Sequence, residues 1–350
     1  MFDASIQNIF APLLAGKTLY VVSDECKVEG RKLLEFFAKY RIQIADCTPA
    51  HLKLMAQDGT EDICSLEYLY VGGEALETNL AKDILSKRYC KKIINVYGPT
   101  ECTVDATFYE IDLNTEKVYI GKPLANTKVY IEENNCLCGI GILGELCIAG
   151  TGLARNYVNN PNLTVQKFVP NPYGEGRIYR TGDLARWLPD GNIEYLGRID
   201  EQIKIRGFRV ELGEIDSKIR ENKKVEDCAV IARADASGGK AIYAYVVGNE
   251  QIDLSMIRSD LEKSLPDYMI PAYMMQIDQI PITKNGKLNK SALPNIEVKT
   301  SKEYISPRNS KEEAICKAFS TILNVEKIGI KDDFFELGGD SIKAIRILSI

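Results

Sequence analysis

Ile93-Ile94-Asn95-Val96-Tyr97-Gly98-Pro99-Thr100-Glu101 is a short apolar run that leads into a turn carrying a hydroxyl and a carboxylate. The apolar half predicts a buried strand, and similar runs at 42–45 and 66–71 predict two further strands. Because helical patterns separate these runs, the sequence predicts a parallel α/β layer. Ligands of such layers bind beyond the carboxyl ends of the strands. The turns at 72–74 and 97–101 lie at two of those ends and therefore form a candidate site.

The rest of the chain divides into stretches with different patterns. A strand is predicted at 18–22, and the pattern over 28–40 predicts a helix with one apolar face. Short β-type runs broken by Gly, Pro and Asn at 104–200 predict a barrel-like or distorted antiparallel region. Beyond them the patterns predict a smaller unit of mixed helices and strands, then a polar stretch typical of a linker, and then a helix with one apolar face. We therefore predict four segments, at 1–199, 200–293, 294–309 (the linker) and 310–350.

Composition and charge exclude several classes of protein. The 350 residues include 44 basic and 49 acidic side chains, for a net charge of −5, and no basic block stands out, so no nucleic-acid partner is expected. No apolar run approaches the roughly 18 residues of a membrane span, so no membrane partner is expected. Ten scattered cysteines predict reduced thiols in a cytoplasmic protein. Cys136 and Cys138 are the one close pair and His51 is the single histidine, so a zinc site is not expected.

Near its end the chain carries Phe334-Phe335-Glu336-Leu337-Gly338-Gly339-Asp340-Ser341-Ile342-Lys343-Ala344-Ile345. This pattern predicts that Ser341 lies on a turn at the start of a helix. A nucleophilic serine needs a base, and His51 is the single histidine, so a Ser-His-Asp assembly is poorly supported. Two interpretations remain: Ser341 receives a group, or it caps a surface helix.

Further strings follow one another in a fixed order, at 95–101, 144–150, 179–183, 197–200, 204–211, 265–271 and 285–287. Together they closely resemble the adenylation domains of nonribosomal peptide synthetases, and the run around Ser341 resembles the attachment site of peptidyl carrier domains. The resemblance covers essentially the whole chain. It implies an adenylate-forming α/β fold of the acyl-CoA synthetase and luciferase type. Residues 1–199 would be the C-terminal part of the large domain, 200–293 the small α+β lid domain, and 310–350 the start of an all-α carrier domain.

The resemblance implies an ATP-dependent ligase that forms an aminoacyl-AMP. Because this reaction joins two anions, catalysis depends mostly on positioning and charge neutralisation. Lys287 would be the catalytic cation, Thr100 would hold the α-phosphate, and Glu101 would hold Mg²⁺. Asp183 would accept hydrogen bonds from the ribose hydroxyls, and Tyr97 would stack on adenine. The residues implied to bind ATP or AMP are Gly73, Asn95, Tyr97, Gly98, Thr100, Asp183, Tyr195 and Arg198.

The resemblance also implies moving parts and partners. Asp200 matches the hinge about which the small domain rotates, so that Lys287 serves adenylation and the 204–210 face then admits the carrier arm. Ser341 would carry 4′-phosphopantetheine, added by a phosphopantetheinyl transferase, and would receive the amino acid as a thioester. Other synthetase domains would be partners, namely a condensation domain and, from the Gly-Gly-Asp-Ser-Ile form of the string, an epimerising domain. The implied pathway class is secondary-metabolite and antibiotic biosynthesis.

The family's amino-acid pocket falls on ten positions, and their chemistry narrows the substrate. Asp3 would pair with the substrate's α-ammonium, which implies an α-amino acid. Gln7, Asp46 and Asp105 make the lining polar, and buried polar groups need partners. A glutamate side chain would meet two carboxylates, whereas a carboxamide can both donate and accept. We therefore favour L-glutamine, with glutamate, asparagine or another polar amino acid as alternatives. The ten positions are Asp3, Ala4, Gln7, Asp46, Tyr70, Gly72, Val96, Val104, Asp105 and Lys287.

One feature of the family has no counterpart in the chain. The Ser/Thr/Gly-rich loop with a pyrophosphate-binding lysine lies upstream of the region that residues 2–5 match, and no string here supplies it. We therefore expect a fragment that lacks the first half of the large domain and the end of the carrier. Such a fragment is expected to be inactive alone and poorly soluble, because a half-sheet exposes an edge. Two other functions stay open: an acyl- or aryl-CoA ligase of the same superfamily, and an inactive carrier-binding fragment.

Overall fold

The computed structural model describes two compact units of the chain, residues 1–201 and 202–350, and each is described by itself. The described residues are 3–58, 63, 66–199, 203–205, 208–234, 240–282, 288–296, 304–323, 325, 327–332, 334, 337 and 347.

The first unit begins with a mixed α/β sheet. Its strands run in the order β1-β2-β3-β4-β5, with β1 to β3 parallel and β4 and β5 antiparallel to their neighbours. The parallel layer predicted from the sequence is thus present over three strands. The strands are β1 Ile44–Cys47, β2 Leu66–Val71, β3 Cys90–Tyr97, β4 Thr107–Ile111 and β5 Lys122–Pro123. The helices are α1 Ala4–Leu14, α2 Asp24–Lys27, α3 Gly30–Lys39, α4 Pro49–Asp58 and α5 Thr78–Ser86.

The apolar periodicity of α3 explains how this sheet is covered. Leu33, Leu34 and Phe37 recur at helical spacing and are buried, together with residues of β2, β3, α4 and α5, in one core. The strand predicted at 18–22 is not formed, because these residues pair with no strand of the described chain. The run predicted at 42–45 becomes a strand only from Ile44.

The second sheet of this unit is antiparallel and open. Its strand order is β11-β10-β8-β6-β7, with β9 paired to β10, so the described residues form no closed barrel. Glycines and bulges interrupt the pairing of β10, which fits the distorted antiparallel region predicted here. The elements are β6 Thr127–Glu133, β7 Cys136–Leu137, β8 Gly144–Gly150, α6 Pro161–Lys167, β9 Phe168–Pro170, β10 Arg177–Trp187 and β11 Ile193–Arg198.

The second unit is a small α+β body followed by a helix. Strands β14, β15 and β16 form a three-stranded sheet, and buried residues of α7 and α8, such as Ile215 and Ile257, share a core with it. No helix among the described residues combines the length and apolar character that a membrane crossing requires. The elements are β12 Ile203–Ile205, β13 Phe208–Val210, α7 Leu212–Arg220, β14 Asp227–Ala234, β15 Lys240–Val247, α8 Leu254–Ser264, β16 Tyr273–Gln276 and α9 Ser310–Leu323.

Candidate active site

Two adjacent amides of α1 hold two carboxylates that come from distant parts of the first unit. Gln7 Nε2 donates to Asp105 Oδ2 at 3.0 Å, and Asn8 Nδ2 donates to Asp46 Oδ2 at 3.0 Å. Asp46 lies on β1, and Asp105 lies in the loop between β3 and β4. Helix α1 therefore brings Gln7, Asp46 and Asp105 of the predicted amino-acid pocket into one cluster.

The strand ends beside this cluster carry other residues of the predicted pocket. Asp46 and Tyr70 are register partners on the parallel strands β1 and β2. Gly72 follows β2 and donates its N–H to the Cys47 carbonyl at 3.2 Å. A side chain at Gly72 would lie 2.8 Å from Val96 Cγ2, so the chain can approach Val96 this closely only because residue 72 is glycine.

Both clustered carboxylates resist ionisation. Burial raises the pKa of Asp105 to about 6, against the Gln7 hydrogen bond, and the nearby charges of Asp46 and Asp3 raise it further. Burial also raises the pKa of Asp46, against the hydrogen bond from Asn8. The cluster thus concentrates acidic groups that are partly desolvated, although the Asp46 side chain is still exposed, and it favours ligands that donate hydrogen bonds.

The loop that carries Asp105 is tightly folded. Residues Thr100–Cys102 form a 3₁₀ helix, after which Thr103 (φ 64°) and Val104 (φ 68°) are both left-handed. That conformation costs about 1–3 kcal/mol for each β-branched residue and persists only where its surroundings enforce it. Hydrogen bonds enforce it here, from Thr103 Oγ1 to the Gly152 carbonyl at 2.6 Å and from the Asp105 N–H to the Thr103 carbonyl at 3.0 Å. Asp105 is therefore presented by a constrained turn.

The second cluster surrounds Asp183, which is buried although charged. Its Oδ1 accepts from Arg198 at 3.0 Å, and its Oδ2 accepts from the Tyr97 hydroxyl. Burial raises the pKa of Tyr97 well above its usual value, and the negative charge of Asp183 adds to this, so the hydroxyl stays protonated and donates. Tyr195 lies beside it, with its ring centroid 6.1 Å from that of Tyr97. The structure thus brings together four residues of the predicted nucleotide site.

Glu101 is the carboxylate predicted to hold Mg²⁺, and two tyrosines surround it. It is buried, and its Oε1 accepts from the Tyr157 hydroxyl at 2.6 Å, while the Tyr157 and Tyr179 hydroxyls lie 3.2 Å apart. A single oriented carboxylate, on the residue that follows Thr100 in the chain, fits Mg²⁺, which proteins bind through one or two carboxylates together with phosphate oxygens. Asn95, also predicted to bind the nucleotide, donates from Nδ2 to the Tyr119 carbonyl at 2.7 Å.

One other acidic group has the geometry of a metal site among the described residues, but not its chemistry. It consists of Glu132, Glu145 and Cys147. Arg180 donates to Glu132, and its Nε lies 3.3 Å from Glu145 Oε2, so the cation that this group holds is a guanidinium.

Other predicted site residues are placed less directly. Asp200, Lys287 and Ser341 lie outside the described residues. Asp3 caps α1, where its Oδ1 accepts the Ala4 N–H at 2.9 Å. The sequence analysis missed Asn8 and Tyr157, and it included Glu145 only as part of the family string at 144–150, without a role; these residues hold the predicted ones in place. For Asn8 a signal existed, because it neighbours Gln7 at the start of a helix.

Comparison with known proteins gives matches along the chain. The family models are "AMP-binding enzyme" at residues 1–158, "AMP-binding enzyme C-terminal domain" at 214–287, and "Phosphopantetheine attachment site" at 313–350. The chain is 44% identical over 362 residues to bacitracin synthase 1 of Bacillus licheniformis and 43% identical over 355 residues to gramicidin S synthase 2 of Brevibacillus brevis. These alignments cover 100% and 99% of the chain but only 7% and 8% of those relatives.

Solved structures agree with these matches. A four-domain nonribosomal peptide synthetase bound to AMP and glycine is 37% identical, with a TM-score of 0.54, over 99% of this chain and 26% of that one. The Vibrio cholerae adenylation domain AlmE, in complex with glycyl-adenosine-5′-phosphate, is 28% identical, with a TM-score of 0.72, over 82% of this chain and 55% of that one. The predicted adenylate-forming fold is thereby confirmed.

Proposed function

The chain belongs to the AMP-binding enzymes, as an adenylation and carrier portion of a nonribosomal peptide synthetase, and from this premise we propose that it activates an amino acid with ATP. The substrate carboxylate attacks the α-phosphorus of ATP, the bond to pyrophosphate breaks, and aminoacyl-AMP forms. Ser341 would hold a 4′-phosphopantetheine arm, whose thiol would take over the aminoacyl group as AMP leaves. The protein is a ligase, and the relatives that it matches are synthases of peptide antibiotics.

The Asp183 cluster supports the nucleotide part of this proposal. Its two carboxylate oxygens have fixed directions, because Tyr97 and Arg198 donate to them. An oriented, ionised carboxylate is suited to accept hydrogen bonds from a ribose diol. Thr100 would contact the α-phosphate, and Glu101 would hold Mg²⁺, which would neutralise the negative charge that develops on the phosphates.

The cluster on α1 carries the proposal about the substrate, which we infer to be L-glutamine. The observation that supports it most directly is the hydrogen bond from Gln7 to Asp105, because it directs the Gln7 amide nitrogen at the aspartate. The Gln7 carbonyl then remains an acceptor for the substrate. Asp46 and Asp105 are acceptors when ionised, so a substrate carboxamide can donate to this lining, whereas a substrate carboxylate meets like charge.

Amino-acid-dependent exchange of pyrophosphate into ATP tests this function in the full-length protein that carries this sequence. We expect the largest kcat/KM with glutamine, followed by asparagine and glutamate, and negligible exchange with leucine. A preference for glutamate over glutamine would refute the substrate assignment alone. Absence of exchange with every polar amino acid would refute the function.

Mass spectrometry tests the carrier part. After treatment with a phosphopantetheinyl transferase and coenzyme A, Ser341 should gain the phosphopantetheine mass, and Ser341→Ala should gain none. An acyl- or aryl-CoA ligase of the same superfamily would release its product on free coenzyme A and leave Ser341 unmodified. The match of residues 313–350 to the phosphopantetheine attachment site favours the carrier.

The remaining assignments complete the proposal. Lys287 would bridge the substrate carboxylate and the α-phosphate, and Asp200 would be the hinge of the lid domain at 200–293. Residues 294–309 would link that domain to the carrier at 310–350. Condensation and epimerising domains would be partners in the same synthetase. Reduced thiols favour the cytoplasm, and the described cysteines are all free of disulfide bonds.

A further inference from the structure

The strand that presents Asp183 is interrupted where Asp183 lies. Strand β10 pairs with β8 at Arg180 opposite Cys147, and again at Leu184 opposite Glu145. The chain thus advances four residues on β10 against two on β8, so two extra residues bulge out of the ladder. Gly182 is left-handed within this bulge, with φ of 75°. Backbone groups that a regular ladder would satisfy need other partners here.

Side chains supply those partners. Thr181 Oγ1 donates to the Leu146 carbonyl at 2.7 Å and accepts the Asp183 N–H at 2.9 Å. Glu145 Oε1 accepts the Gly182 N–H at 2.9 Å, and the Gly182 carbonyl accepts the Ile199 N–H at 2.8 Å. The bulge is therefore bonded on both sides, and on the side of β8 Glu145 is the acceptor for the Gly182 N–H.

Glu145 belongs in turn to a partly buried ion-pair network. Arg180 Nε lies 3.3 Å from Glu145 Oε2, and another nitrogen of Arg180 donates to Glu132. Glu132 is only 2% exposed, and its second oxygen accepts from the Tyr173 hydroxyl at 2.9 Å. Burial opposes the charge on Arg180, but the carboxylates of Glu145 and Glu132 outweigh it and raise the pKa of Arg180, so the guanidinium stays charged.

We propose that Glu145 is a positioning residue for nucleotide binding: its carboxylate accepts the Gly182 N–H, fixes the bulge of β10, and so aims the Asp183 carboxylate at the ribose. This inference rests on the proposed function, in which Asp183 binds the ribose hydroxyls. Without Glu145 the buried Gly182 N–H lacks its hydrogen-bond acceptor. The backbone can regain one by re-forming regular pairing between β8 and β10, and this moves Asp183 away from Tyr97 and Arg198.

The test compares Glu145→Leu and Glu145→Gln in the full-length protein, with ATP and with 2′,3′-dideoxy-ATP as nucleotides. Leucine removes the acceptor, whereas glutamine keeps an acceptor oxygen at the same position. We expect Glu145→Leu to lower kcat/KM for ATP by on the order of tenfold or more, mainly through a higher KM, because a displaced contact is lost from the bound state. With dideoxy-ATP, which lacks the diol, the same variant should lose less than about twofold. Glu145→Gln should restore most of the activity with ATP.

Two further variants make the result decisive. Asp183→Asn should lose activity with ATP but not with dideoxy-ATP, as Glu145→Leu does. Glu67→Leu removes an exposed acidic residue paired with Lys91 and should lose activity with neither nucleotide. If Glu145→Leu lowers kcat/KM by the same factor with ATP and with dideoxy-ATP, or does not lower it with ATP, the inference is overturned and the proposed function stays intact. If Asp183→Asn lowers kcat/KM by the same factor with both nucleotides, the contact between Asp183 and the ribose is itself refuted. Melting temperatures of all variants, measured alongside, separate loss of folded protein from loss of affinity.

Discussion

At the residue scale, the cluster on α1, if it is the proposed substrate pocket, makes the expected substrate preference depend on one proton. Asp105 has a pKa raised to about 6 by burial, so the folded protein ionises it between pH 5 and pH 7. Above pH 6 its negative charge repels a substrate carboxylate, and below pH 6 the neutral acid can donate to one. Gln7 remains a partner of Asp105 in both states, because its amide can donate or accept.

We therefore predict that selectivity for glutamine over glutamate falls as the pH is lowered. The ratio of kcat/KM for the two amino acids, measured by pyrophosphate exchange at pH 7.5 and pH 5.5, should decrease by about three- to tenfold. The γ-carboxylate of glutamate titrates near pH 4.3 and stays mostly ionised over this range. Asp105→Asn carries no charge, so its ratio should not vary with pH. A ratio that varies equally in both proteins would assign the effect to another group.

Tyr157 offers a second prediction at this scale. Its hydroxyl orients Glu101, the proposed Mg²⁺ ligand, and hydrogen-bond partners of metal ligands are worth about 10- to 100-fold in metal affinity. Tyr157→Phe keeps the ring that packs against Phe168 and removes only the hydroxyl. We expect the Mg²⁺ concentration for half-maximal exchange to rise about tenfold, and Mn²⁺ binding in the presence of ATP, followed by electron paramagnetic resonance, to weaken equally. Tyr130→Phe, on β6, is the control, and an unchanged Mg²⁺ requirement in Tyr157→Phe would contradict the role.

At the scale of elements, the turn between β3 and β4 carries site residues and depends on one glycine. A Cβ at Gly98 would lie 2.1 Å from the Val104 carbonyl oxygen and 2.8 Å from Asp105 Cα. Gly98→Ala should therefore push the turn away and displace Asp105, at a cost of about 1–3 kcal/mol in the free energy of unfolding. Both the melting temperature and the affinity for the amino acid should fall.

Gly139→Ala is the matched control for this substitution. A Cβ at Gly139 meets nothing within 4 Å, and the residue lies in a loop of the same unit. It should leave both measurements unchanged. A Gly98→Ala protein that melts lower but binds the amino acid normally would show that the turn supports the fold without positioning Asp105.

The elements also show where sequence patterns succeed. Strands β2 and β3 and helix α3 were predicted, because apolar runs and helical periodicity reflect burial in a shared core. Residues 18–22 have the composition of a strand but no partner in the described chain, and a strand is defined by its ladder. Helix α1 was missed, since its Pro12 and short polar segments obscure the period.

At the scale of the whole molecule, the sequence predicts which residues form the candidate site but not how they are held. The family motifs, and the positions aligned between them, predict site roles for Gln7, Asp105 and Asp183, because these residues are polar and match the family. The supporting contacts of Asn8 and Glu145 join residues that are 38 and 37 positions apart in the chain. Such pairs depend on strand register and on a bulge, which local patterns do not specify.

The exposed face of α1 leads to a prediction about the 350-residue chain by itself. Ile6, Phe10, Leu13 and Leu14 are 54%, 57%, 52% and 85% exposed, and they lie on one short helix. Contiguous apolar surface of this kind promotes association. We expect the chain to elute from a size-exclusion column as aggregates and to bind a hydrophobic dye, and Phe10→Asp with Leu14→Asp to shift it towards the monomer.

Scattered apolar residues of the same unit provide the comparison for this prediction. Val158 and Val165 are 84% and 74% exposed. They lie beside and in α6, far along the chain from the apolar residues of α1. Val158→Asp with Val165→Asp adds the same charge, so it should raise solubility only by the small effect of net charge. If both double variants improve elution equally, charge rather than the face of α1 controls association. If the unsubstituted chain elutes as a monomer with a single cooperative melting transition, the apolar face does not drive association at all.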